Sequence, residues 1–196
     1  VEAGGSEPGF INGDAAKKRA PWFRGVNPCA EILLGNHSFC NLSEIDLSKF
    51  GAGTTDILKV VRLVARANYR QTCVNLDDGV LQPCWNELND YLRLTGVGIT
   101  GIAKANPSAE YLQAIRAAAH AAVDEMADEL GLPRSKAVTT VKPSGTLSKV
   151  MSTTEGVHKP LGRYIFNNVR FGNHDPALAA LDAAGYHIME DPYTPG

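Results

Sequence analysis

The chain has 196 residues, 44% hydrophobic and 20% charged, and its 19 basic and 21 acidic side chains leave a formal charge of −2. That length buries a real core, and the balanced charge argues against a polyanion-binding surface, so nucleic acid is not an expected partner, although local groups could bind a single nucleotide. The longest mostly apolar run, Ile57 to Ala65, is interrupted by Lys59 and Arg62 and is too short to cross a bilayer, so no membrane partner is expected.

In chain order, residues 1–25 are rich in Gly and Pro and read as loop, with Lys17, Lys18 and Arg19 on a solvated face. Residues 29–34 and 40–47 read as short extended segments. From Asp56 to Tyr69 the apolar residues Ile57, Val60, Val61 and Val64 follow helical spacing, with Thr54, Thr55 or Asp56 as N-cap. A second helix is expected from Pro83 to Leu94, then a small-residue strand or turn from Val97 to Ile102. The clearest element is a helix over 107–130, capped by Asn106 or Ser108, with Pro107 in its first turn and Gly131 and Pro133 ending it. Its stripe of Leu112, Ile115, Ala119, Val123, Met126 and Leu130 faces a core. A strand over 137–141, a turn into a helix over 142–148, an extended segment over 164–171 and a short helix over 177–184 complete the series. Strands alternating with helices indicate an α/β domain with mainly parallel pairing.

The densest chemistry lies in Asn27-Pro28-Cys29-Ala30-Glu31-Ile32, with Cys40 eleven residues after Cys29. A lone cysteine is most often a small buried hydrophobe, and a lone glutamate a solvated carboxylate. A thiol flanked by a possible base, an amide and a second thiol is a candidate reaction centre. Four cysteines without a signal peptide favour a reducing, cytoplasmic setting, where thiols serve catalysis or metals more than cross-links. Two rival readings remain open, a Cys29–Cys40 disulfide and a zinc site using all four cysteines. The zinc reading is weakened by the lack of a CxxC and by five scattered histidines. Cys73 and Cys84 read as packing residues, as do Trp22, Phe23 and Trp85, and His158 and Lys159 as exposed loop.

A second candidate site is Lys142-Pro143-Ser144-Gly145-Thr146-Leu147-Ser148. Small and hydroxyl residues at a strand-to-helix junction leave backbone N–H groups free for an anion. By itself PSGT is also a common turn, and the GxxxxGK[ST] pattern of a P-loop is absent.

NPCAEI followed by CNL resembles the active-site finger loop of ribonucleotide reductases. With ANYRQTCVNLDDGVLQ and VKPSGTLSKVM, and with Glu7-Pro8-Gly9-Phe10 upstream, the chain is most similar to the adenosylcobalamin-dependent class and its ribonucleoside-triphosphate members. The resemblance implies part of a ten-stranded α/β barrel in which residues 1–196 are one stretch of the catalytic domain. The finger loop, at about 26–41, would thread the barrel's centre, and a substrate-phosphate loop would lie at about 142–148. It implies adenosylcobalamin as radical source, a ribonucleotide substrate, a thiyl radical on Cys29, Glu31 as base on the ribose 3′-hydroxyl, and Asn27 bonding the substrate or ordering Glu31. Cys40 would be one of two electron-delivering thiols, its partner lying upstream and a thioredoxin-type reductant acting through C-terminal cysteines. Pro143, Ser144, Gly145, Thr146, Leu147 and Ser148 would meet the phosphates. The start at Val1 without Met and the turn-rich ending at Pro192 to Gly196 are expected of a piece of a longer chain, inactive by itself. Two alternatives stand beside this reading. One is the class whose radical comes from a separate metal subunit. The other is a non-catalytic nucleotide-binding module on the same scaffold, which intact Asn27, Cys29, Glu31 and Cys40 argue against.

Overall fold

A computed structural model describes residues 9–51, 55–76, 79, 81–160, 162–166 and 168–191. These fall into two units, one up to Pro160 and one from Leu161 onward. The second unit contributes a short helix, Ala177–Ala183, ended by Gly185 at φ +79°. No strand forms among the described residues of 164–171, where an extended segment was expected.

The first unit begins with α1 (Gly13–Arg19), β1 (Gly25–Val26), β2 (Leu33–Leu34) and β3 (Leu42–Asp46). Next come α2 (Asp56–Gln71), α3 (Pro83–Leu92), β4 (Gly96–Thr100), α4 (Ile102–Ala105), α5 (Ala109–Leu130) and α6 (Gly145–Val150). Helix α1 corrects the loop expected there. The Asn12 side chain accepts from Ala15 N at 3.0 Å, and Lys17, Lys18 and Arg19 fill the last turn, where cations suit the helix dipole. Of the expected extended segment 29–34, only Leu33–Leu34 is strand.

The core lies between α2, α5 and the sheet. Ile57, Val61 and Ala65 of α2 meet Ile115, Ala119, Ala122, Val123, Met126 and Ala127 of α5, with Ile45 of β3 and Val97 of β4 closing the cluster. Full burial of a side chain the size of Ile57 or Met126 contributes about 1.5–3 kcal/mol. Leu130, placed by its spacing on the same stripe, is 38% exposed as the last residue of α5, just before its Gly131 cap at φ +65°. At the other end Ser108 is the N-cap, accepting from Tyr111 N, so Pro107 precedes the helix rather than entering its first turn.

Strands β3 and β4 pair in parallel, with Leu42 opposite Gly96 and Asp46 opposite Thr100. The segment after α5 pairs with β4 through an isolated bridge at Thr139, supported by Val97 N donating to Val138 O at 2.9 Å. It is shorter than the strand expected over 137–141. The described elements therefore form an α/β unit with two two-stranded sheets. Among the described residues no helix is long and apolar enough to cross a membrane.

Candidate active site

Residues 27–32 close an antiparallel hairpin in which Gly25 pairs with Leu34 and Val26 with Leu33. Asn27 to Ala30 form its turn, with Ala30 N donating to Asn27 O at 2.9 Å. Proline at the second position pre-sets the turn's φ, and Ala30 takes the left-handed region at φ +61°, a strained conformation for a residue with a Cβ. The turn projects Cys29 into solvent as an exposed free thiol.

Asn27 is buried, and its side chain works in two directions. Its Oδ1 accepts from Ile32 N at 2.9 Å, closing the loop around Cys29, and its Nδ2 donates to Cys40 Sγ at 3.7 Å. The amide therefore links the thiol-bearing turn to the second thiol. Cys29 and Cys40 are both free, so no disulfide joins them. Partial burial pushes the Cys40 thiol up from its ordinary pKa, and the nearby Glu31 carboxylate and Cys29 add to the rise. The Asn27 hydrogen bond and the Lys142 ammonium oppose it. Glu31 is half-buried, and its Oε2 is enclosed without a hydrogen-bond partner. It borders a cavity of about 530 Å³ that is walled by Val97, Ile99, Leu112 and Ile115 and edged by Arg19 and Arg116. A carboxylate oxygen held without a donor is free to accept a proton from a ligand.

Residues between the hairpin and β3 are anchored from behind. Phe39 and His37 pack on Trp85 with ring centroids 5.1 and 5.2 Å apart, which gives Trp85 the packing role its type suggested. Asn41 Nδ2 donates to Asn68 O at 2.8 Å. The Asn68 side chain accepts from Gly96 N at 2.8 Å, tying α2 to β4 directly behind Cys40. Sequence reasoning missed Asn68. The available signal was an amide at the position where the buried stripe Ile57, Val61, Ala65 continues. Cys73 is exposed, which corrects its reading as a packing residue, and Cys84 is half-buried near the start of α3.

The residues 143–148 form the turn into α6. Ser144 precedes the helix, 1% exposed, with a buried Oγ that has no partner, and Gly145 N turns back to Pro143 O at 2.8 Å. The first-turn N–H groups of Thr146 and Leu147 have no intrahelical acceptor, and a Cβ on Gly145 would meet nothing within 4 Å. Ser148 is buried, its Oγ donating to Gly145 O at 2.7 Å, which braces the turn. The Lys142 ammonium points to Glu44 at 3.6 Å, so an anion here would meet backbone N–H and hydroxyl groups first. His158 and Lys159 are exposed, with His158 3.3 Å from Glu155. Of the upstream Glu7-Pro8-Gly9-Phe10, Glu7 and Pro8 lie outside the described residues.

No family model matches this chain. It is 31% identical to the adenosylcobalamin-dependent ribonucleoside-triphosphate reductase of Lacticaseibacillus paracasei, an alignment covering 97% of this chain and 30% of that protein. The reductase of the same name from Lactobacillus delbrueckii subsp. bulgaricus is 32% identical, with 96% and 31% covered. A crystal structure of a B12-dependent class II ribonucleotide reductase superposes with a TM-score of 0.71 at 27% identity, covering 90% of this chain and 28% of that one. The chain thus spans about three tenths of the length of the curated relatives it matches. In sequence and in fold it is a homologue of one stretch of the adenosylcobalamin-dependent ribonucleotide reductases.

Proposed function

We propose that this chain carries the thiol-bearing part of the active site of an adenosylcobalamin-dependent ribonucleoside-triphosphate reductase, acting in the cytoplasm on a ribonucleotide inside a ten-stranded α/β barrel. The observation that carries the reading is the Asn27 amide, which joins the Cys29 turn to Cys40 within reach of the Glu31 charge. The free thiols are in keeping with a reducing compartment.

The fit of the cofactor to this chain rests on one feature. Cys29 stands exposed at a turn, open to a bulky group approaching from outside, and is the residue that would face it. Adenosylcobalamin, when bound, supplies the initial radical. Cys29 as thiyl radical removes the hydrogen atom from C3′ and becomes a thiol. Glu31 takes the 3′-hydroxyl proton, which its unpartnered Oε2 is free to accept. The 2′-hydroxyl then leaves as water, taking its proton from the Cys40 thiol pair. Cys40 and a second thiol outside this chain close to a disulfide, giving a hydrogen atom to C2′ and one further electron to C3′, while Glu31 returns its proton to the 3′-oxygen. Cys29 returns its hydrogen atom to C3′, which restores the radical. Asn27 holds the turn so that the thiol and carboxylate keep one geometry, since an error near 1 Å can cost about 10²-fold in rate. Pro143, Ser144, Gly145, Thr146, Leu147 and Ser148 receive the substrate's phosphates, and a thioredoxin-type reductant reopens the disulfide through cysteines elsewhere in the protein.

The test is a single turnover with 3′-labelled ribonucleoside triphosphate in the whole protein. Cys29→Ser should release no label, because a serine hydroxyl gives up its hydrogen atom far less readily than a thiol. Cys40→Ser should still release label while forming no normal deoxynucleotide. Label release by Cys29→Ser, or sustained turnover by Cys40→Ser, would overturn the assignment.

A further inference from the structure

Glu44 lies at the middle of β3 with its side chain 1% exposed, and neither carboxylate oxygen accepts a hydrogen bond. A carboxylate in that state is costly unless a cation compensates it. Lys142 Nζ, 3.6 Å away, does so. The route taken by the lysine is built into the sheet. Glu44 stands opposite Gly98 of β4 in the parallel register. A Cβ at Gly98 would lie 3.6 Å from Lys142 Cβ and 3.3 Å from Ser43 O, so any larger side chain there would crowd the lysine's path. Gly156 lies close against the Lys142 backbone. That residue sits at φ +43°, and a Cβ on it would come 2.8 Å from Lys142 O. Lys142 immediately precedes 143–148, and Glu44 lies four residues beyond Cys40.

We propose that Glu44 and Lys142 form a positioning pair. Glu44 draws the Lys142 side chain across Gly98, and this fixes where the 143–148 turn begins relative to β3 and to Cys40. Neither residue touches substrate. The effect of Lys142 on the Cys40 thiol, favouring its thiolate, agrees with its place between the two halves of the site. The consequence for substrate binding rests on the reading of 143–148 as the phosphate turn; the geometric claim does not.

The experiment uses the whole protein with Glu44→Gln, Lys142→Met, Lys142→Arg and the double variant Glu44→Gln/Lys142→Met. Amide hydrogen exchange, thermal midpoint and the kcat and KM for a ribonucleoside triphosphate are read together. Glu44→Gln and Lys142→Met should each speed exchange across 143–148 by about tenfold while α5 keeps its protection, and raise KM about tenfold with kcat within about threefold. Lys142→Arg, which keeps the charge, should restore both. The double variant no longer buries an unpaired charge and should recover its thermal midpoint, yet leave 143–148 fast-exchanging. If the midpoint falls but exchange at 143–148 stays at the wild-type rate in Lys142→Met and the double variant, the pair only stabilises the fold and the proposal is overturned. If exchange rises there while KM is unmoved, the positioning stands and the phosphate assignment of 143–148 fails.

Discussion

The α2–α5 face and the Cys29 hairpin treat burial in opposite ways. Ile57, Val61 and Ala65 of α2, and Ala119, Ala122, Val123 and Ala127 of α5, are all at 0% exposure and carry no polar side-chain atoms. Their charged neighbours stay at the rim, where Arg66 grips Glu129 through two bonds of 2.8 and 2.6 Å and Arg62 pairs with Glu125. Around the hairpin, β3 and the 143–148 turn, several buried polar atoms lack partners, among them Glu31 Oε2, both Glu44 oxygens and Ser144 Oγ. Two non-glycine residues there, Ala30 and His37, adopt positive φ. One region maximises stability, and the other accepts strain and unsatisfied groups that suit a ligand.

The largest expected effect sharpens that contrast. On the proposed mechanism Glu31→Gln removes the base without changing shape, so turnover in the whole protein should fall by about 10²–10⁴-fold with radical generation retained. Its thermal midpoint should stay at the wild-type value, because Glu31 Oε2 makes no hydrogen bond that the amide would lose. A drop in stability equal to the drop in rate would make Glu31 a structural residue and break the comparison.

Met126→Ala is the mirror experiment. Met126 is 3% exposed within the core cluster, so truncation should cost about 2–5 kcal/mol in urea unfolding through lost burial and a cavity. Remaining folded protein should turn over at the wild-type kcat. A lower kcat in that folded fraction would show the two regions to be coupled through α5.

The two regions also differed in how far they could be read from sequence. The core was legible because its signal is periodic: the stripes on α2 and α5 repeat at helical spacing, and Ser108 and Gly131 mark helix ends by their own backbone preferences. Helix α1 was not, because its seven residues are too short for a stripe, and Gly13 and the basic run look like loop. The Cys29 turn was legible in its residue types but not in its wiring. That Asn27 spans from Ile32 N to Cys40 depends on a hairpin only two pairs long, below the length at which alternation can be seen. The Lys142–Glu44 contact was hidden for a different reason: it joins residues 98 positions apart through a space left by Gly98.

Asn68 straddles the comparison, since it belongs to the α2 stripe but serves the site. Asn68→Ala would strand the buried Gly96 N–H and delete the side-chain amide's bonds to Asn41 O and Oδ1, both 3.4 Å, leaving Asn41 only its bond to the Asn68 carbonyl, at a cost of about 1–3 kcal/mol in stability. Unlike Met126→Ala, it should also lower kcat, because Asn41 adjoins Cys40. If only stability falls, the anchoring of Cys40 from behind has no functional weight.

The smallest effect concerns Cys40, whose raised pKa has separable causes. Burial of part of the thiol's surroundings acts first, and the Glu31 charge second. A raised pKa leaves less thiolate at a given pH, so iodoacetamide should alkylate Cys40 more slowly near pH 8 than it does an unhindered peptide thiol. Access is not the limit, because Cys40 is exposed. Glu31→Gln deletes the second cause and leaves the first, so the pKa should come part of the way down. Alkylation near pH 8 should then quicken about threefold. At a pH high enough to ionise the thiol in both proteins, the two rates should converge. Peptide mapping after timed alkylation across this range reads Cys40 separately from Cys29, Cys73 and Cys84. Superimposable profiles for the two proteins would mean that Glu31 does not act on Cys40, and the electrostatic link between the carboxylate and the second thiol would be lost.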